Sequence, residues 1–292
     1  MKYLISIALG LFLLFPLSAG AQDKPAYRLF DKNGKRKTYR KLLKKARQAD
    51  IILFGEYHNN PIAHWLQLEL TKDLGDRSKL VLGFEMLERD NQDAVNRYLN
   101  GEINQKGLDT LARLWNNYKT DYKPLVDYAK DKHFPVIATN IPRRYASMVF
   151  RGGFQALDSL GRNEYEWIAR LPIDYDPELP SYKAMTEMEH ANHMPADMKE
   201  NMPKAQAIKD ATMAESILDN LPEKGIFIHY NGAYHSDDFE GIGWYLKKAN
   251  PGLKILTIST VSTGNVKKFL DDAREKADFI IQVDEDMTTT YP

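Results

Sequence analysis

Two short segments, Gly55-Glu56-Tyr57-His58 and Gly232-Ala233-Tyr234-His235, nearly repeat each other, and each closes an apolar run. The first follows Ile51-Ile52-Leu53-Phe54 and the second follows Ile226-Phe227-Ile228-His229-Tyr230. Such runs, flanked by helical patterns, read as buried parallel strands. Ligands of open α/β sheets bind beyond the carboxyl ends of the strands, so the two segments predict one site built by two loops. Gly83-Phe84-Glu85-Met86 ends another run, and Ala138-Thr139-Asn140 leads into Arg143 and Arg144. A charge placed directly after apolar residues is costly unless it is paired, liganded or at a wet mouth. Glu56 and Glu85 are both placed that way.

Three chemistries fit this inventory. Glu56, His58, Glu85 and His235 around one crevice suit zinc or manganese, which would acidify a bound water for hydrolysis. Without a metal, the same histidines and glutamates could serve as general base and acid. Tyr57 and Tyr234 open a second route, because tyrosinate and histidine both serve as axial ligands of ferric haem. Arg143 and Arg144, at a helix start, would then meet the propionates. The third group is Met185, Met188, Met194, Met198 and Met202, interleaved with His190 and His193. Thioethers with imidazoles suit copper, and a flexible Met-rich surface also suits a flat hydrophobic cofactor or a partner. The plainer reading of that group is a lid that packs its methionines on the core. The expected cofactor-binding set is therefore Tyr57, His58, Arg143, Arg144, Tyr234, His235, His190, His193 and Met194.

The elements that position these residues alternate. Strands are predicted at residues 50–55, 79–86, 135–140, 225–230, 254–259 and 278–283. Helices are predicted at 61–74, 90–99, 124–132, 142–150, 238–248 and 266–276. Alternation of this kind implies an α/β fold, a mostly parallel central sheet flanked by helices. Residues 150–220 lack a strand pattern and read as a helical insertion over the carboxyl edge of the sheet, within one domain spanning 22–292.

Residues 1–21 read as a cleavable signal peptide: Lys2, an apolar stretch from Tyr3 to Leu17, then Ala19-Gly20-Ala21. Export to the periplasm or medium is the expectation, and with no cysteine a lipobox anchor is chemically excluded. The 292 residues carry 40 basic and 40 acidic side chains, so no overall basicity favours nucleic acid as a partner. Residues 32–47 are locally basic and read as a solvated helix face, with docking as the alternative role.

The stretch Ile52-Leu53-Phe54-Gly55-Glu56-Tyr57-His58-Asn59-Asn60-Pro61, followed by Gly83-Phe84-Glu85-Met86-Leu87, resembles the ChaN-type haem-binding proteins of the Tiki/TraB/erythromycin-esterase-like superfamily. The resemblance continues through Pro135-Val136-Ile137-Ala138-Thr139-Asn140 to Asn231-Gly232-Ala233-Tyr234-His235. It implies a secreted or periplasmic haem-binding protein of iron acquisition, with haem, an outer-membrane uptake machinery and a second copy of the chain as expected partners. In the wider superfamily the corresponding positions serve hydrolysis. The resemblance thus implies a metal-dependent peptidase or esterase as the alternative, with Glu56, His58, Glu85 and His235 as its catalytic set. It does not specify the haem ligand.

Overall fold

The computed structural model describes residues 24–291, and the expected signal peptide at 1–21 lies outside them. An antiparallel hairpin of β1 (Tyr27–Asp31) and β2 (Arg36–Lys37) comes first, followed by α1 (Tyr39–Ala46). The basic stretch is therefore helical only from Tyr39, and its first residues form the hairpin turn and β2. Alternation then sets in as β3 (Ile51–Glu56), α2 (Pro61–Gly75), β4 (Leu80–Glu88), α3 (Gln92–Leu99), α4 (Gln105–Leu111), α5 (Lys123–Lys132) and β5 (Val136–Asn140). Between β5 and β6 (Ile226–Gly232) the described residues hold no strand. They hold α6 (Arg143–Gly152), α7 (Pro180–Glu187), α8 (Ala196–Asp219) and several 3-10 turns. The chain closes with α9 (Ile242–Ala249), β7 (Ile255–Thr263) and β8 (Phe279–Asp284).

These strands form one eight-stranded sheet in the order β2-β1-β8-β7-β3-β6-β4-β5. Every pairing from β8 to β5 is parallel, and β1 pairs antiparallel with both β2 and β8. Side chains of a strand alternate between faces, and on β3 both faces are covered. Ile52 and Phe54 join Leu66, Leu70 and Leu74 of α2, while Ile51 and Leu53 join Met213 and Ile217 of α8 and Ile242 and Leu246 of α9. Full burial of each such side chain contributes about 1.5–3 kcal/mol, which is why the run is apolar throughout rather than alternating. At the turn into α2, the Asn60 side-chain oxygen accepts hydrogen bonds from the Ile62 and Ala63 amides, both at 3.0 Å. It thus caps a helix that begins at Pro61.

Two helix expectations are corrected. α9 starts only at Ile242, because Asp238, Phe239 and Gly241 take positive φ angles (59°, 63° and 53°) that no α-helix accommodates. Residues 266–276 contain a single 3-10 turn, Asp271–Ala273, in place of a helix. Buried Gln282 on β8 explains this. Its side-chain oxygen accepts from the Leu270 amide at 2.7 Å and its amide donates to the Lys268 carbonyl at 2.9 Å, giving the loop backbone partners that a helix would otherwise have supplied.

Candidate functional site

The connections leaving β3 and β6 depart to opposite faces, α2 to one and α9 to the other. A crevice therefore opens between the carboxyl ends of these neighbouring strands. Both near-repeats lie there in register, Gly55 opposite Asn231 and Glu56 opposite Gly232. They interlock, and their glycines are required for it. A Cβ on Gly55 would stand 2.9 Å from Ala233 Cα and 3.0 Å from the Ile258 carbonyl, and one on Gly232 would stand 2.8 Å from His58 Nε2.

Glu56 is buried and fully used. Its Oε1 accepts from the Tyr122 hydroxyl at 2.6 Å and from His58 Nδ1 at 3.0 Å. Its Oε2 accepts from the Gln67 amide at 2.5 Å and lies 3.4 Å from His64 Nδ1. His64 Nε2 donates to the His58 carbonyl at 3.0 Å, and Asn117 donates to the same oxygen at 2.9 Å. The His58 ring packs edge-on against Trp115, with centroids 4.8 Å apart, and its side chain stays 32 % exposed. Burial pushes the His58 pKa down, but the hydrogen bond to Glu56 and the charges of Glu85 and Glu56 outweigh burial, so it is raised.

A second carboxylate–imidazole system lies across the crevice. Glu85 Oε2 accepts from the Gly232 amide at 2.6 Å, and its Oε1 pairs with His235 Nε2 at 3.2 Å. The other nitrogen, His235 Nδ1, donates to Asp210 Oδ1 at 2.5 Å, and Tyr182 donates to Asp210 Oδ2 at 2.8 Å. Burial alone would lower the His235 pKa, yet Glu85 and Asp210 on either side push it up to about 10. Burial likewise raises Glu85, but His235 beside it prevails and holds the carboxyl far below its usual range. His235 is thus an imidazolium clamped between a strand and α8. His229, on β6 three residues before Gly232, is pushed down to about 4 by burial, with Thr139 Oγ1 at 2.8 Å and Asn231 Oδ1 at 3.1 Å.

The structure therefore brings Glu56, His58, Glu85 and His235 to one crevice. It joins them to each other rather than converging them on a common point. Among the described residues no group of three or more His, Asp or Glu side chains is disposed to hold a metal ion. The expected zinc or manganese site on Glu56, His58, Glu85 and His235 is not supported, because both nitrogens of His235 and all oxygens of the two glutamates already have partners.

Tyr57 and Tyr234 flank the crevice, 41 % and 46 % exposed, and neither hydroxyl is hydrogen-bonded to a described residue. Burial pushes the Tyr234 pKa up while Lys276 opposes it. Burial lowers the Lys276 pKa, but Asp237, Asp238 and Tyr57 outweigh it, so this ammonium is within electrostatic reach of both phenols. Arg143 is exposed and makes no ion pair with a described residue. Arg144 is committed: it donates to Asp90 Oδ2 at 2.6 Å and to the Tyr145 hydroxyl at 2.9 Å, and stacks on Tyr145 and Trp167. His193 is exposed and Met194 half-buried in the α7–α8 connection, and neither makes a hydrogen bond or ion pair with a described crevice residue. The side chain of His190 lies outside the described part. Asp210, Tyr182, Gln67, Tyr122 and Lys276 are the site residues that sequence reasoning does not find.

The fold and site define an α/β scaffold class whose carboxyl edge carries two carboxylate–imidazole couples and two solvent-facing tyrosines. The model of the haem-binding uptake family ChaN, of the Tiki superfamily, matches residues 42–246, and the chain belongs to that family. Among solved structures it is similar to ChaN of Campylobacter jejuni, described for cofacial haem binding. The TM-score is 0.66 at 15 % identity, over 87 % of this chain and 96 % of that one. It is also similar to a Bacillus cereus protein (TM-score 0.51, 14 % identity, 89 % and 95 % covered). A succinoglycan biosynthesis protein gives a TM-score of 0.52 at 12 % identity, with 89 % and 94 % covered. At these identities the structures establish the fold. No curated protein matches the sequence.

Proposed function

We propose that this protein captures haem at the carboxyl edge of its sheet, as an exported component of iron acquisition. Family membership supports haem as the ligand. The observation that carries the location is the pair of exposed tyrosines with unbonded hydroxyls at the ends of adjacent strands. A phenolate is a hard anionic ligand suited to ferric iron, and at Tyr234 the Lys276 charge opposes the burial that raises the hydroxyl's pKa. His58 is the histidine with ligating capacity: Glu56 holds its Nδ1, the arrangement that orients metal-binding imidazoles. His235 has no free nitrogen. Arg143, unpaired at the same edge, is the propionate partner; Arg144 is not. When bound, haem would supply iron chemistry, and the chain's own groups bind and orient it.

Tyrosines that project into solvent would leave a bound haem open to a second copy of the chain. A second copy would cover it, in line with the cofacial arrangement described for the Campylobacter jejuni protein. The signal-peptide pattern of residues 1–21 supports export. Substituting Tyr57→Phe, Tyr234→Phe and His58→Ala in turn, and recording the haem absorption of each, tests the site. Loss of the band in one of them supports it, and three unchanged spectra would move haem elsewhere. A metal-dependent hydrolase is the weaker reading of the same crevice, since its ligands are spent on one another. It requires chelator-sensitive turnover of an ester or peptide.

A further inference from the structure

The pole of the molecule opposite the crevice is strongly cationic. Residues 32–47 carry nine Lys and Arg and no Asp or Glu, leaving 31 basic against 40 acidic residues in the rest of the chain. Within α1, Leu42 and Ala46 are buried, with Tyr39 and Leu43 packed on the same core. At about 100° per residue, Arg40, Lys41, Lys44 and Lys45 fall on the opposite arc, and all four are exposed. They form no ion pair with a described residue, and neither do Lys35 and Arg36. Lys32 and Lys37 are neutralised, by Glu275 at 3.1 Å and Asp31 at 2.7 Å.

Beside this face the structure has a concavity of about 510 Å³ at the amino ends of β7 and β8, lined among others by Lys45, Lys254, Asn33 and Gln48. Lys45 and Lys254 are exposed and their ammonium groups have no described acidic partner. Its two acids are occupied: Asp31 holds Lys37, and Asp278 accepts from the Thr257 amide at 3.1 Å.

We propose that this pole docks on an anionic phospholipid surface, with α1 lying on the headgroups and one phosphate seated between Lys45 and Lys254. Charge complementarity selects the partner class. Among the described residues the large exposed apolar side chains are Tyr57, Trp65, Leu111, Tyr165, Tyr234, Phe239 and Tyr291; none lies on α1, and Phe239 adjoins the pole with its ring centroid 5.7 Å from Lys32 Nζ. A specific protein interface needs buried aromatic or aliphatic anchors, whereas attraction to an anionic leaflet requires cations alone. β3 runs from this pole to Glu56, and six residues at about 3.3 Å each place the crevice about 20 Å further on. A molecule held by α1 would present the crevice away from the membrane, open to haem.

The test is co-sedimentation of the full chain with phosphatidylcholine vesicles and with vesicles in which phosphatidylglycerol replaces part of the phosphatidylcholine. A variant combining Lys41→Glu, Lys44→Glu and Lys45→Glu is run alongside, with circular dichroism to verify its fold. Because the apolar leader is common to both proteins, their difference isolates α1. The docking face predicts binding to phosphatidylglycerol vesicles only, weakened at least about tenfold in the variant given the worth of each cation near a charged leaflet. The same binding falls away when salt shortens the Debye length from about 10 Å to about 3 Å. Equal binding to both vesicle types, or undiminished binding by a folded variant, overturns the proposal. So does binding to DNA or polyglutamate without binding to vesicles. A Lys41→Gln, Lys44→Gln, Lys45→Gln variant, which must also bind more weakly, decides the matter if the charge-reversed chain misfolds.

Discussion

His58 leans over Gly232 so closely that a Cβ at position 232 would lie 2.8 Å from its Nε2. The same interlock at Gly55 is tighter in kind, because a Cβ there meets backbone, Ala233 Cα at 2.9 Å and the Ile258 carbonyl at 3.0 Å. A half-exposed imidazole can swing away and a central strand cannot. Gly55→Ala should therefore cost about 1–3 kcal/mol of stability, and Gly232→Ala less. Gly232→Ala should instead displace His58 and change the haem spectrum. Urea unfolding of both variants checks the order, and equal losses would contradict it.

His235 sets a pH dependence. Its folded pKa of about 10 lies above the unfolded value of 6.5, so its contribution is complete below 6.5 and lost as pH rises through about 10. Glu85 has the opposite sign: held below its ordinary 4.5, it contributes fully above 4.5 and loses that as pH falls further. His235→Asn leaves two buried carboxylates without a cation and should cost about 3–5 kcal/mol. The wild-type advantage should be largest between pH 4.5 and 6.5 and shrink toward pH 10. A gap that stays constant across that range would show that the clamp is not charged.

Tyr57→Phe and Tyr234→Phe remove hydroxyls that bond to no described residue, so each should change stability by no more than about 0.5 kcal/mol. Any loss of haem affinity is then a ligand effect, and the variant lacking the iron ligand should bind at least about tenfold more weakly. Thermal unfolding read together with haem titration separates the two outcomes.

Arg143 and Arg144 should part company. Arg143→Ala is expected to weaken haem binding several-fold with unchanged stability. Arg144→Ala removes one of the two partners of Asp90, which Arg113 still holds at 2.6 Å, and should cost up to about 1 kcal/mol without touching haem. The reverse pattern would relocate the propionates.

Glu56 and Glu85 stand out because a charge after an apolar run is conspicuous in any sequence, and His58 and His235 because the two Gly-x-Tyr-His segments repeat. The central strands are legible as apolar runs, their edges within two residues of the pattern except at β7, which continues four residues past it to Thr263. The β1–β2 hairpin was not, since β2 is only two residues long and carries no alternation to detect. Asp210 follows Lys209 rather than an apolar run, and nothing in a one-dimensional pattern says which face of α8 meets His235. Tyr122 and Gln67 bond to Glu56 through tertiary contacts alone. Lys276 fell in a segment read as helix, and Gln282 of β8 is what prevents that helix.

Titrating the purified protein with haemin, and following the absorption band while reading metal content on the same sample, tests the central claim most directly. The account predicts a saturable haem band at a fixed ratio to the chain, with zinc and manganese far below one per chain. No specific haem band, together with one tightly bound zinc or manganese per chain, would contradict it.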